Sequence, residues 1–361
     1  MRILLLGEYS NVHNTLAQGL RELGHDVTVA SNGDFWKNYP RDIDLARSDG
    51  KLGGVRLLAK VCCQLPRWRG YDVVQLINPM FLELKAERIG PIYHYLRRHN
   101  RKILLGAFGM DWYWVNECVT RKPLRYSDFN IGKALRTDEP ALRERRDWLG
   151  TAKGRLNQLI ARECDAIVSG LYEYHVCYTP YFPTKTHFIP FPIRSVSVTP
   201  APVGAKVKVF IGISKGRSVY KGTDIMLRAA EDVLKQFPDR MELLKAEGLP
   251  FAEYQRLMDG ADVLLDQLYG YTPAMNALLA MSKGIVCVGG GEPEGYALLG
   301  EDTLRPIVNV EPSFESVRNK LEQLVLHPDM LQDLKTQSMA YISRHHDYIK
   351  VARQYEALYI K

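Results

Sequence analysis

Lys215, Arg217 and Lys221 stand close together on a glycine-bearing loop within the run Lys206 to Asp224. The apolar stretch Val207 to Ile211 before them reads as a buried strand. Behind them, Ile225, Leu227, Ala230, Val233 and Leu234 mark the inner face of a helix. Cations on a loop at the carboxyl end of a strand suit a polyanion such as a diphosphate. Glycine lets the backbone approach a phosphate closely, and the positive side chains neutralise it. A solvated basic loop is the bland reading of the same residues.

In the first half, Gly106 to Trp114 follows the strand pattern Ile103 to Leu105. Asp111 there could take a proton or hydrogen bond from an acceptor hydroxyl, and Trp112, Tyr113 or Trp114 could stack on a sugar face. A capping aspartate among packed aromatics explains them equally well. His13 and Asn14 open the first helix, within reach of an acceptor or a phosphate. Asp42-Ile43-Asp44 matches an Asp-x-Asp metal pattern, but it lies in a charged loop and no metal is expected from it.

These residues need elements to hold them. The first half alternates strand and helix: Ile3–Leu6, a helix through Leu16, Leu20 and Leu23 ended by Gly24, then Val27–Ala30, Val73–Ile77, Ile103–Leu105 and Ala166–Ser169. Four prolines between Pro190 and Pro202 then read as a linker. The alternation restarts with Val207–Ile211, Met241–Leu244, Val263–Leu265 and Ile285–Val288, and helices fill the rest. The expected class is α/β, with two doubly wound Rossmann-like domains. Residues 1–192, joined by a returning helix 347–361, form the first; 193–205 are the linker; 206–346 form the second.

At 361 residues the chain is long enough for two cores. Its 46% hydrophobic and 25% charged composition is that of a globular protein. No apolar run reaches the roughly 18–20 residues of a membrane span, and the start reads as a strand and not as a signal peptide. The six cysteines lack metal-ligand spacing, so reduced thiols and a cytoplasmic location are expected. Within the net charge of +7, Arg67-Trp68-Arg69, Arg97 to Lys102 and Arg143 to Arg146 could hold an anionic membrane face. No nucleic-acid module is visible.

Gly7 with its polar loop through Asn11, then Leu16 to Val27, resembles the opening of the GT-B glycosyltransferases of the family 4-like group. Ile189 to Ile193 is similar to their interdomain hinge, Gly212 to Asp224 to their phosphate-binding loop, and Ala261 to Val286 to their signature stretch. Gln354 to Tyr359 resembles the helix that crosses back to their first domain. The resemblance implies a retaining, metal-independent sugar transfer from a nucleotide sugar to a glycan or lipid-linked acceptor; the basic runs would allow a peripheral place at the inner face of the cell membrane. It places Lys221 and Arg217 on the β-phosphate, with Lys215 in reserve and Gly212 beside them. Gly7, Asn11, His13 and Trp112 fall on the acceptor side.

The family's two signature glutamates are absent: Tyr271 and Leu279 stand in their places. Asp266-Gln267, Asn276 and Glu294 are the substitute acceptors. Thr272-Pro273-Ala274 opens a helix, with Thr272 as its cap and free amides for an anion. A non-catalytic partner protein and a sugar-nucleotide epimerase of the same fold are the alternatives.

Overall fold

The computed structural model describes residues 1–195, 199–214 and 216–361. In chain order its strands are β1 (Arg2–Leu6), β2 (Asp26–Ser31), β3 (Ile43–Asp44), β4 (Val73–Leu76), β5 (Lys102–Ala107), β6 (Asn130–Ile131), β7 (Ala134–Leu135), β8 (Ala166–Ser169), β9 (Thr186–Phe188), β10 (Val207–Ile213), β11 (Met241–Glu247), β12 (Val263–Leu265), β13 (Val286–Gly289) and β14 (Val308–Asn309). A seven-stranded parallel sheet runs β3-β2-β1-β4-β5-β8-β9, and a five-stranded parallel sheet runs β11-β10-β12-β13-β14. β6 and β7 form a small antiparallel hairpin.

The chain divides into two compact units. The first holds Met1–Pro123, Arg143–Pro192 and Tyr348–Lys361, and the second holds Leu124–Leu142 and Ile193–Asp347. One expectation is corrected here: Leu124–Leu142, assigned from sequence to the first domain, belongs to the second unit. The reason is polar. Arg136 donates to the carbonyls of Val219 and Tyr220 and lies 3.8 Å from the Tyr269 ring centre. Tyr220 in turn donates to Asp128 at 2.6 Å. The span 193–205 is not a free linker either: Ile193 pairs with Asp347, and the Ala201 carbonyl is bonded by Lys335. Val196, Ser197 and Val198 of that span lie outside the described residues.

In the first unit, the helix Val12–Glu22 ends as expected at Gly24, whose φ of +86° only glycine adopts freely. The returning helix Tyr348–Ile360 packs on it so closely that a Cβ on Gly19 would stand 2.5 Å from the Tyr348 carbonyl oxygen. Further in, the Tyr359 hydroxyl donates to Gln75 at 2.6 Å, and the Lys102 ammonium donates to the Tyr359 carbonyl at 2.8 Å. The last helix is therefore part of this unit's core and not an appendage.

In the second unit, a lysine is buried outright. Lys335, its side chain 2% exposed, donates to Asp262 at 2.6 Å and to the Ala201 carbonyl at 2.8 Å. Asp262 also accepts from the Lys208 amide at 2.9 Å, so one carboxylate joins β10, the entry to β12 and the helix Asp329–Tyr341. Removing one partner of such a pair strands a buried charge. Lys335→Met should cost about 3–5 kcal/mol in urea denaturation, and adding Asp262→Asn should recover part of it. A Lys335→Met protein as stable as the parent would show the pair to be energetically idle.

Candidate functional site

An open parallel sheet binds ligands where its strand order reverses, in the crevice at the carboxyl ends. The second sheet reverses between β10 and β12; Ile211 pairs with Leu265, the last residue of β12, and β10 runs two residues further. Gly212 and Asp266 therefore emerge side by side. A Cβ at Gly212 would meet the Tyr254 hydroxyl at 2.7 Å, so any side chain there would have to displace that ring. That hydroxyl donates to the Asn276 side-chain oxygen at 3.2 Å, and Asn276 is hydrogen-bonded in turn to Asp266. Burial raises the Asp266 carboxyl above its ordinary range, while the Lys221 charge and the Asn276 bond pull it back.

Four sequence candidates, Gly212, Lys221, Asp266 and Asn276, thus meet at one point. Lys221 ends the short helix Ser218–Lys221, and its carbonyl takes the Leu268 amide at 2.9 Å. Its position is set by Gly222, whose φ of +73° and contact with Leu268, 2.7 Å from an added Cβ, exclude any side chain. Arg217 is placed differently: it is exposed, with its guanidinium 5.5 Å from the Tyr220 ring centre. Lys215 lies outside the described residues.

The helix after β12 corrects the sequence reading. It spans Met275–Ser282 with Ala274 at the cap position, so Thr272 does not cap it. Thr272 instead packs its methyl against Gly295, where an added Cβ would lie 2.4 Å away. Gln267 is half-buried, with its carbonyl 3.3 Å from the Cβ position of Gly289. Tyr271 and Glu294 are engaged by the hairpin segment. The Tyr271 hydroxyl accepts the Arg125 amide at 2.6 Å, and the Arg125 guanidinium binds Glu294 and, at 2.5 Å, Glu292. Tyr126 donates to Glu292 at 2.5 Å. Burial would raise the Glu294 carboxyl; the Arg125 bond more than reverses this and leaves it low. A fully buried tyrosine and an ion-paired glutamate are thus spoken for. Sequence reasoning missed Arg125, and only its place beside Tyr126, in a segment without apolar periodicity, could have marked it.

The first sheet reverses between β1 and β4. Gly7 follows β1 at φ +84°, with an added Cβ only 2.3 Å from Ile77. Glu8, which sequence reasoning passed over, is 2% exposed and accepts the amides of His13 at 3.2 Å and Asn14 at 2.8 Å. It fills the place that an anion would take at the helix N-terminus. Asn11, at φ +73°, accepts from the Asn14 side chain at 2.8 Å. His13 is wholly buried, with Nδ1 2.8 Å from the Gly7 carbonyl and Nε2 3.3 Å from Gln75. Burial pushes it down to about 3, which keeps the ring neutral. His13 is therefore a structural residue and not an exposed acceptor contact.

Asp111 is the second correction in this unit. It has no exposed surface, caps the helix Trp112–Val119 through the Trp114 amide at 2.8 Å, and accepts the Tyr178 hydroxyl at 2.7 Å. Burial lifts it to about 7 against both bonds. With both oxygens engaged and no surface, it serves the helix and not an acceptor hydroxyl. Trp112 remains half-buried, edge-on to Tyr113 and Tyr181. Asp42 and Asp44, the Asp-x-Asp pair, are held by Arg21 and Arg41 at 2.6 and 2.7 Å. Among the described residues no cluster of metal-ligating side chains occurs.

Two doubly wound parallel sheets, each with glycine and polar residues at its switch point, decide the architecture. The fold is GT-B. The chain is similar to Anabaena HepE solved with UDP and glucose, at 12% identity over 99% of each chain and a TM-score of 0.60. It is similar to sucrose-phosphate synthase of Thermosynechococcus elongatus, at 13% identity over 99% and 98% of the chains and a TM-score of 0.59. It also resembles the UDP-GlcNAc 2-epimerase of Neisseria meningitidis bound to UDP-GlcNAc, at 10% identity over 100% of each chain and a TM-score of 0.56. No family model and no curated protein sequence matches it.

The buried carboxyls set a pH dependence. Glu8 titrates at about 8 in the folded chain against 4.5 ordinarily, so the folded state keeps a proton that the unfolded state has released. Its stabilisation is complete below about 4.5 and lost as pH rises through about 8. Asp111 acts in the same sense up to about 7, whereas His13, lowered from 6.5, opposes them with a slope that fades as pH rises above 6.5. From pH 6.5 to 8 the stability measured by urea denaturation should therefore fall, by roughly 1.4 kcal/mol per pH unit for one full proton. Glu8→Gln should flatten most of that slope. Stability that holds level or rises across this window would contradict the assignment.

Proposed function

We propose that this chain transfers a sugar from a nucleotide-sugar donor to a glycan or lipid-linked acceptor. The observation that carries this reading is the gathering of Lys221 and Asn276 on Asp266, beside the glycine opening at Gly212. It is supported by structural neighbours covering 99% of both chains that were solved with UDP or with UDP-glucose.

On this reading Lys221 stabilises the departing diphosphate, and Lys215 and Arg217 on the same loop supply further positive charge. Asp266 and Asn276 orient donor hydroxyls in place of the missing signature glutamates, with Gln267 and Thr272 on the adjoining turn. Tyr271 and Glu294 act indirectly, through the Arg125 segment that they hold. Gly7, Asn11 and Trp112 border the acceptor side. The route is metal-independent and retaining, in line with the family resemblance, and needs no bound cofactor. A lipid-linked acceptor would bring the protein to the inner face of the cell membrane.

Removing one electrostatic donor to a developing anion typically costs about 3–4 kcal/mol of transition-state stabilisation. Lys221→Ala should thus keep its circular dichroism spectrum and lose at least about a hundredfold in turnover. Undiminished turnover would take Lys221 out of the mechanism. A panel of UDP- and GDP-sugars supplies the assay, with UDP at about 100 times its Kd expected to stabilise the fold by ~2.7 kcal/mol.

The epimerase reading rests on the 2-epimerase neighbours and differs in its product. It predicts an epimerised nucleotide sugar without an acceptor, where the transferase releases nucleoside diphosphate only with one. Indifference to every nucleotide would favour a non-catalytic partner protein.

A further inference from the structure

The loop of residues 32–42 leaves the carboxyl end of β2 carrying two aromatic side chains into solvent. Phe35 and Trp36 are 62% and 60% exposed; the next most exposed phenylalanine, tyrosine or tryptophan among the described residues is Tyr181, at 41%. The backbone beneath them is strained. Gly33, Asp34 and Phe35 all hold positive φ, at +72°, +57° and +57°, and Asn38 follows at +49°. Glycine tolerates this region and aspartate and asparagine visit it, but a bulky phenylalanine there is a genuine outlier. Such strain persists only where the surroundings impose it, and it concentrates at ligand-holding sites.

Here the surroundings are polar. The Asp34 carboxylate accepts the Ser10 amide at 2.8 Å and the Lys37 ammonium at 2.6 Å, and Lys37 also donates to the Ser10 hydroxyl at 3.2 Å. Asn32 accepts the Asp34 amide at 3.0 Å, and the Gly33 carbonyl takes the Tyr39 amide at 2.9 Å. Arg41 closes the loop, donating to the Asn38 side-chain oxygen at 2.8 Å and to the Tyr39 carbonyl at 3.0 Å. Asn38 is exposed, and among the described residues nothing accepts from its amide nitrogen. This network fixes the loop without covering the two rings. It also ties them to Ser10, three residues past Gly7 in the loop beyond β1, where the first sheet reverses.

We propose that Phe35 and Trp36 stack on a sugar of the acceptor next to the one that reacts, so that the acceptor is an oligosaccharide. A pyranose pairs an apolar C–H face with a hydroxyl edge, which suits two solvent-facing rings beside the Asn38 amide. β1 and β2 are neighbours about 4.8 Å apart, roughly one sugar unit, so a saccharide at Gly7 and Asn11 reaches this loop with its next unit. Two other occupants fit less well. At roughly 150–250 Å² apiece the rings supply at most about 500 Å², short of the ~800 Å² per side of a stable protein interface. A bilayer would have to take in the Asp34–Lys37 pair and both asparagines along with the rings, stripping their hydration. The inference rests on the sugar-transfer reading for calling the ligand an acceptor. Binding is tested without nucleotide, so the two can fail separately.

The test is titration of the full chain with di- to pentasaccharides of glucose, galactose, mannose and N-acetylglucosamine, followed by tryptophan emission and by calorimetry. Of the five tryptophans only Trp36 is exposed: Trp112 is half-buried, and Trp68, Trp114 and Trp148 are at most 3% exposed. Stacking at this loop should therefore shift the emission. At least one of these saccharides should bind, and Trp36→Ala should weaken it at least about tenfold. Trp36→Phe keeps a ring and should keep most of the affinity while the emission shift disappears. Phe35→Gly relieves the positive φ, so it should melt at or above the parent temperature and still bind at least about tenfold more weakly. Leu52→Ala, at a position 61% exposed but off this loop, should bind as the parent does. Saccharide binding that needs Trp36, in a chain that turns over no nucleotide sugar, would uphold this site and overturn only the transfer reading. Failure of every saccharide to bind, binding unaltered by Trp36→Ala and Phe35→Gly, or attachment to lipid vesicles or to a second copy that Trp36→Ala abolishes would each overturn the proposal.

Discussion

A parallel sheet covered on both faces has no surface left for polar chemistry except at its strand ends, and this constraint orders the whole chain. Ile3 to Leu6 and Val209 to Ile211 carry essentially no exposed surface. Several carboxylates of interest therefore sit just past such a run: Glu8 beyond β1, Asp111 beyond β5, Asp266 beyond β12, Glu292 beyond β13. Each carboxylate there is partly taken out of water and must be matched. The matches differ, and they separate structure from chemistry. Glu8 and Asp111 are satisfied by backbone amides, and Asp111 by Tyr178 as well, with no surface left over for a ligand. Asp266 is met by Asn276 and the Lys221 charge and stays half-buried, within reach of a ligand.

The second unit also recruits a piece of chain from far back in sequence. Arg125 and Tyr126 satisfy Glu292 and Glu294, while Arg136 binds the carbonyls of Val219 and Tyr220 just before Lys221. The same hairpin segment thus holds the turn after β13 and the helix that ends in Lys221. Removing Arg125 would leave a nearly buried Glu292 carboxylate short of a cation, a costly state in a low-dielectric setting. The segment's attachment thus joins long-range polar pairs to the buried side chains of Leu124, Tyr126 and Phe129.

That distinction explains what was legible in the sequence. Long apolar runs announced β1, β2, β4, β5, β8, β10, β11, β12 and β13, because a strand buried on both faces must be continuously apolar. The short strands β3, β9 and β14, and the hairpin β6–β7, went unread: β3, β6, β9 and β14 each mix a polar residue into two or three positions, whereas the three of β12 are all apolar. Gly212, Lys221, Asp266 and Asn276 were legible because each sits at a fixed offset from a strong strand. Asp111 and His13 were legible as polar residues but not as buried ones, since burial depends on neighbours such as Tyr178 and Gln75 that lie far away in sequence. Glu292 and Arg125 came together across more than a hundred and sixty positions, a pairing that no local pattern encodes.

The loss of the signature glutamates takes a definite form in three dimensions. Leu279 stands where a glutamate is expected, and Asn276 lies three residues earlier on the same helix, hence on the same face and nearly one turn closer to the strand ends. Asn276 is neutral and cannot replace a carboxylate by itself. Its side chain bonds Asp266, however, which supplies the charge from the end of β12. On the proposed sugar-transfer reading, strand-end aspartate and helix asparagine form a split acceptor, whose charge feels that of Lys221. A single glutamate at position 279 would stand about a turn farther from that cation, and an aspartate already at position 266 would make a second carboxylate there repulsive. On the proposed reading, the absent glutamate and the Asp266–Asn276 pair are therefore alternatives.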